Sequence, residues 1–349
     1  AMGAGMCQAD APVEVLALPN SSSSSRGAQL VCELPGGRLA AAVGRSVLVM
    51  DCKSGDKVAE LAGHKGPVTC LIAEHGALFS GGLDRQVKRW DPARRSLVFS
   101  MDAHKGPVWC LCVASGSLFS TGEDSLIIRW DFQTGALLGM LQEHGGPVVC
   151  MMARPGLLCT GSEDATIRLW DLKRMEQSTT LEGHSGGVTC LLIAGGSIFS
   201  GSKDALVRRW NAATGTLQFA LDGHGKEGWI LCLLAVPKYL FSGCRSGSIC
   251  QWDLARNKLI RVFGTGEDRH GSGVTCFLAH RDVLLSGSAD GTVRLWDEDS
   301  GELQNILEGA TGVTCLCPTS SGVIFSGQAR GCPEHLPPLA ARPDASSSV

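Results

Sequence analysis

No stretch of the 349-residue sequence approaches a membrane helix's run of about 18 apolar residues, so no spanning helix is expected. The first twenty residues carry Asp10, Pro12, Glu14 and Pro19 and lack both a basic leader and a long apolar segment. They do not read as a secretory signal. Charge of one sign is missing as well. The net charge is −3 with acids and bases interspersed, which leaves no electrostatic footprint for nucleic acid. Charged residues make up 19 % of the chain and apolar residues 44 %, enough for a substantial core. A cytoplasmic or nuclear protein, not a secreted one, is the expectation.

Paired cysteines are also lacking. The chain has 16 Cys but no C-x-x-C; Cys110/Cys112 and Cys315/Cys317 are only C-x-C. Cys70, Cys110, Cys150, Cys190, Cys232, Cys276 and Cys315 share one repeat position, in V-x-C-L or a close variant. A solitary Cys recurring in an apolar strand is a small buried hydrophobe. Equivalent positions in adjacent units lie too far apart for bridges, which points to a reducing compartment and to no metal centre.

What the sequence does have is a period. Gly161-Ser162-Glu163-Asp164 runs to Trp170-Asp171, and Gly183-His184 follows. The same pattern ends at Trp90-Asp91, Trp130-Asp131, Trp210-Asn211, Trp252-Asp253 and Trp296-Asp297. A period of about 40 residues ending in Trp-Asp is the mark of four-stranded propeller blades. One all-β ring follows, because each unit can bury its faces only against its neighbours.

Read in order, residues 1–27 are a leader with a candidate closing strand, Val13–Leu18, and a Ser-rich linker at 21–25. Residues 28–328 are the propeller, and 329–349 an irregular tail. Residues 28–63 form a worn first repeat in which Met50-Asp51 stands for Trp-Asp. Six fuller repeats follow, each with four short strands and turn signals between them. Val313–Leu316 and Val323–Gly327 begin an eighth that stops, with Leu336 where a Trp would fall. Seven complete blades with a partial eighth repeat are favoured, the partial hairpin being appended. The alternative is an eight-bladed ring that this hairpin enters and Val13–Leu18 completes.

With Gly-His, Ser-Gly-Ser-x-Asp and Trp-Asp at these spacings, the chain resembles the WD40-repeat family over roughly residues 28–328. That resemblance implies a hydrogen-bonded His, Ser or Thr, Asp and Trp tetrad within each blade. Carried over, the tetrads are His64, Ser80, Asp84 and Trp90; His104, Ser120, Asp124 and Trp130; and His144, Thr160, Asp164 and Trp170. His184, Ser200, Asp204 and Trp210 match next, and His270, Ser286, Asp290 and Trp296 in the seventh repeat. The sixth keeps His224, Ser242 and Trp252 but has Ser246 for the Asp, which puts that blade's rigidity in doubt. The first repeat has Ala40, Gly44 and Met50 instead; the partial eighth has Ser326, with Ala310 for His and Arg330 for Asp.

Ser, His and Asp together invite a hydrolase reading, but their recurrence in five equivalent places argues against it. A catalytic triad is one pre-organised constellation. Gly183-His184-Ser185-Gly186-Gly187 matches G-x-S-x-G, and 223–228 matches G-x-G-x-x-G, yet strands and not helices are expected after both. No catalytic residue, cofactor or metal is expected.

The informative residues are those that break the pattern. Trp109 takes a position held elsewhere by Thr69, Thr189, Thr275 and Thr314, and Trp229 stands at the Pro67 position. Exposed Trp is enriched at binding hot spots. The residue before the tetrad Asp varies as Leu83, Glu123, Glu163, Lys203, Arg245 and Ala289. In the resembled family this position faces a rim used for partners. There Glu123 and Glu163 would form an acidic patch beside a basic one of Lys203 and Arg245. Basic third-strand residues such as Arg89, Arg129, Arg168, Arg209 and Arg294 read as solvated faces or inter-blade pairs. The expected function is a non-catalytic scaffold or adaptor, a monomeric ring presenting one face to protein or peptide partners, with no small-molecule substrate, nucleic acid or membrane. The alternative is a substrate-recognition subunit or targeting domain of a ubiquitin ligase or kinase assembly.

Overall fold

A computed structural model describes residues 31–226, 228–264, 266–280, 282–308, 312–319, 324–328 and 334–335. Seven four-stranded antiparallel sheets span 31–62, 68–102, 108–141, 148–181, 188–222, 230–263 and 274–308, and a three-stranded sheet follows within 313–335. These are blades one to seven and the partial eighth. The only helical turn among the described residues is a 3-10 turn at Gly266–Asp268. Strands therefore follow both glycine motifs, beginning at Val188 and Ile230.

Blade five shows how the signals work. Val188–Ala194, Ser197–Ser202, Leu206–Asn211 and Leu217–Asp222 pair in chain order. The first hairpin turns on Gly195 and Gly196, at φ of 53° and 75°, a mirror-image turn whose twist matches that of the strands it joins. Its second strand is buried throughout and its fourth is mostly exposed. The first strands of successive blades lie beside one another and so surround the axis. Cys70, Cys150, Cys190, Cys232 and Cys276 on these strands are buried and form no disulfide, and burial pushes Cys190 up to about 12. Thr69, Thr189 and Thr275 clip neighbouring blades together; the Thr275 hydroxyl donates to the Val313 carbonyl in the next sheet at 2.7 Å, with the Gly287 carbonyl of its own sheet 3.1 Å away.

The Asp of each Trp-Asp pair organises the next turn. Asp171 Oδ1 accepts from Lys173 N at 2.7 Å and Arg174 N at 3.1 Å. Asn211 does the same for Ala213 N and Thr214 N, at 2.9 and 3.0 Å. Only an acceptor oxygen is required, so Trp-Asn serves as well as Trp-Asp.

The partial eighth unit is not an appendage. Val313–Pro318 lies between the first strands of blade seven, Val274–His280, and blade one, Val31–Leu34. Cys317 packs into one apolar cluster with Leu39, Met50 and Cys52 of blade one. Apolar side chains on both faces of that strand need cover, and the gap between blades seven and one supplies it. A two-residue strand, Glu334–His335, pairs with Ile324–Gln328 as the third of the sheet. Residues 1–27 with Val13–Leu18, most of 329–349, Ala310, Arg330 and Leu336 lie outside the described residues.

Five blades carry the full tetrad. In blade two, Trp90 Nε1 donates to Ser80 Oγ at 2.7 Å, Ser80 Oγ lies 2.7 Å from His64 Nε2, and His64 Nδ1 lies 2.9 Å from Asp84. The same chain joins His104, Ser120, Asp124 and Trp130, and His144, Thr160, Asp164 and Trp170. It also joins His184, Ser200, Asp204 and Trp210, and His270, Ser286, Asp290 and Trp296. Proton positions follow from which groups can donate. The hydroxyl accepts the indole N–H and gives its own proton to Nε2, so Nδ1 carries the ring hydrogen and donates to the carboxylate. That carboxylate also accepts the amide after the histidine, as at Lys65 N, 2.8 Å from Asp84. Burial pushes these carboxyls up, but the hydrogen bonds outweigh it. Asp164 is brought down to about 2 by Thr166 and His144, Asp204 to about 2 by His184, and Asp290 to about 2 by Thr292 and His270.

Two outcomes are expected. Ser200→Ala orphans both the Trp210 N–H and His184 Nε2, so urea denaturation should report a loss of about 2–4 kcal/mol. Because these folded-state carboxyl values are depressed, their stabilisation is complete above the ordinary 3.8 and is lost as pH falls toward about 2. Unfolding titrations across that window should show the fall, and Asp164→Asn should make it shallower.

Candidate functional site

One backbone hydrogen bond fixes the varying rim position in blades two to seven. Leu83 N donates to Pro67 O at 2.8 Å, Glu123 N to Pro107 O at 2.9 Å and Glu163 N to Pro147 O at 3.0 Å. Lys203 N does so to Gly187 O at 2.9 Å, Arg245 N to Trp229 O at 2.8 Å and Ala289 N to Gly273 O at 2.9 Å. The six side chains therefore leave the ring at the same end, beside the tetrad aspartates.

Two rim side chains reach the next blade. Glu163 lies over Gly187, where any Cβ would collide with its carboxylate. From there it pairs with Lys203, Oε2 to Nζ 2.6 Å, the two side chains 28 % and 22 % exposed. Lys203 Nζ in turn sits 5.3 Å from the centre of the Trp229 ring. Arg245 of Trp229's own blade lies 4.6 Å from that ring. Three successive blades thus contribute to one row, Glu163–Lys203–Trp229–Arg245. Trp229 is half-buried, and Arg245 is exposed and makes no ion pair among the described residues. Cation–π contacts of this kind contribute about 0.5–1 kcal/mol at exposed sites, enough to order the ring.

The expected separation into acidic and basic patches does not hold. Glu163 is neutralised by Lys203, because equivalent rim positions of adjacent blades come within reach of long side chains. The exposed charges that remain are Glu123 and Arg245. Trp109 is not part of the row. It is half-buried against the apolar cluster that contains Val149 and Met152, at the seam between blades three and four. Among the third-strand cations, Arg89 donates to Gln133 O at 2.7 Å and Arg209 to Leu254 O at 2.8 Å, both across a blade seam.

Blade six holds what the motif search missed. His224 Nε2 lies 2.6 Å from Ser242 Oγ, and Trp252 Nε1 donates to that oxygen at 2.8 Å, so the upper part of the ladder is intact. Where the carboxylate would stand, Cys244 Sγ lies 3.0 Å from both Ser246 Oγ and Ser248 Oγ. The sequence signal was present: Cys244 occupies the position of Ser162, Ser202 and Ser288, two residues before the missing Asp.

At the opposite end of the ring a groove of about 460 Å³ runs between blades five and six, lined by Phe199, Arg209, Val236, Pro237 and Leu254. Arg209 is already hydrogen-bonded to Ser197, Leu254 and Asn257. Among the described residues no group of three His, Cys, Asp or Glu side chains is placed to hold a metal ion, and no helix is long and apolar enough to cross a membrane.

The family model for the WD domain, G-beta repeat, matches six times, at residues 55–91, 95–131, 135–171, 175–211, 215–253 and 258–297. The chain belongs to the WD40 family. Each matched repeat takes the fourth strand of one blade and the first three of the next. No curated protein matches the sequence. Among solved structures, a crystal structure of the computationally designed Ika8 protein is similar at 24 % identity, with a TM-score of 0.79 over 93 % of this chain and 99 % of that one. At that identity the likeness is one of fold.

Neighbouring residues 163 and 164 should behave very differently. Glu163→Gln removes a partly solvated ion pair and should cost under about 1 kcal/mol. Asp164→Ala leaves the His144 ring N–H and Gly145 N–H without their acceptor, and should cost at least about 2 kcal/mol in the same denaturation assay.

Proposed function

We propose that this WD40 propeller is a non-catalytic interaction scaffold or adaptor that holds a protein or peptide partner on the end of the ring carrying Trp229 and Arg245. The observation that carries this reading is the row of Lys203, Trp229 and Arg245 across two blades. A tryptophan held by two cations loses little freedom on binding, which favours affinity. Trp and Arg are also the residues that most often dominate binding energy. The unpaired Arg245 guanidinium suits a carboxylate on the partner, and exposed Glu123 suits a cation, so a loop or peptide of mixed charge fits best. The five repeated His, Ser and Asp sets are equivalent and fully engaged with one another, which speaks for a structural role and against a single reactive centre.

The test is affinity capture followed by mass spectrometry, comparing the natural chain with one in which Trp229 and Arg245 are both alanine. Partners enriched by the natural chain are expected to fall at least about 10-fold, with thermal unfolding of the ring still cooperative. Unchanged capture of the same partners overturns the reading.

A further inference from the structure

In blade six the histidine ladder has no carboxylate to end on. Ser242 Oγ accepts the Trp252 indole N–H at 2.8 Å and therefore gives its own proton to His224 Nε2, 2.6 Å away. The imidazole hydrogen must then sit on Nδ1, and a buried N–H requires an acceptor. In five other blades that acceptor is an aspartate. Here Ser248 Oγ is a long 3.3 Å from Nδ1, and Ser246 occupies the aspartate's place.

What lies within reach is Cys244. Its sulfur is fully buried, and two hydroxyls close on it, Ser246 Oγ and Ser248 Oγ, each at 3.0 Å. The His224 ring reaches it through Ser248, whose oxygen can accept the Nδ1 hydrogen and give its own proton to the sulfur. Two hydroxyls converge on one buried sulfur, and hydrogen bonds to a charged acceptor are the short and strong ones.

We propose that Cys244 is held as a thiolate and supplies the anion that the ladder of blade six has lost. One blade is thereby braced by a group that acid or thiol chemistry can discharge, while five are braced by aspartates.

The surroundings agree. Burial pushes a thiol up, as it does at neighbouring Cys232 and at Cys250, the latter to about 12. At Cys244 burial acts the same way, but His224 and the Ser246 and Ser248 hydroxyls outweigh it and bring the thiol down to about 6. The titratable groups around the sulfur are thus His224 from the loop before blade six's first strand, Cys232 on that strand and Cys250 on the third. Arg269, from the loop toward blade seven, holds the Ser246 carbonyl at 2.9 Å and fixes the turn. Asp222 acts on Cys250 from the far side. Arg245, next in sequence, turns outward to the Trp229 ring.

The test is an ultraviolet titration of thiolate absorbance on the full chain, read as the difference between the natural protein and Cys244→Ser. The difference should show the gain of one thiolate centred near about 6, far below the buried Cys110 at about 11 and Cys190 at about 12. Ser246→Asp in the natural background should move that step up toward or past the ordinary 9.0, because the new carboxylate takes the Nδ1–H and repels the thiolate. The depressed folded value also sets the sign for stability: the advantage of the natural chain over Cys244→Ser is full above 9.0, shrinks as pH falls, and is gone below about 6. A difference titration with no thiolate step below 9.0 overturns the proposal. So does a step that Ser246→Asp leaves in place, and this second variant decides the matter if Cys244→Ser does not fold.

Discussion

A single hydroxyl in each of blades two to seven holds this structure to its geometry. Ser80, Ser120, Thr160, Ser200, Ser242 and Ser286 each accept an indole N–H and each meet a histidine Nε2. A hydroxyl has one proton to give, so accepting from the indole commits it to the imidazole, and the imidazole is committed in turn to the anion at the end. The tautomer of every ladder histidine is fixed without a charge entering the ring. The third strand, the second strand and the loop before the first are tied in one line. Because all three ends are buried, breaking the line anywhere leaves polar groups without partners in a low-dielectric place.

That rigidity is what makes the rim chemically variable. The residue before each ladder aspartate is held by the same amide-to-carbonyl bond, so its side chain can change from Leu83 to Glu163 to Arg245 without disturbing the backbone. Specificity can then be written in six side chains while the fold stays constant. Trp229 differs in kind from the rest. It belongs to the accepting side of that bond, and it fills the space between one blade's cation and the next.

Most of the fold was legible because a repeated pattern removes the ambiguity of any one copy. The ladder residues, the exchange of Asp for Asn at 211, and the isolated Trp229 all stand out against a fixed period. Three features did not. The Glu163–Lys203 pair joins positions that are equivalent in the repeat, and a period gives identity of position but not the distance between neighbouring blades. The strand Glu334–His335 is two residues long, too short for alternation to reveal it. Cys244 looked like one more small buried residue, because its chemistry comes from a carboxylate absent two positions away and a histidine twenty residues back.

The seat of the partial eighth sheet bears on how the ring comes together. Within each blade, and between each blade and the next, the joined residues are close in the chain. The contacts of the partial eighth sheet with blade one, chiefly Val313–Pro318 with Val31–Leu34, join distant ones, and they close a loop of roughly 280 residues. The entropy of such closure grows only with the logarithm of loop length, and non-local contacts of this kind form after local ones. Closure entropy thus places this seam after the local contacts, and adding or removing one repeat scarcely alters that entropic cost.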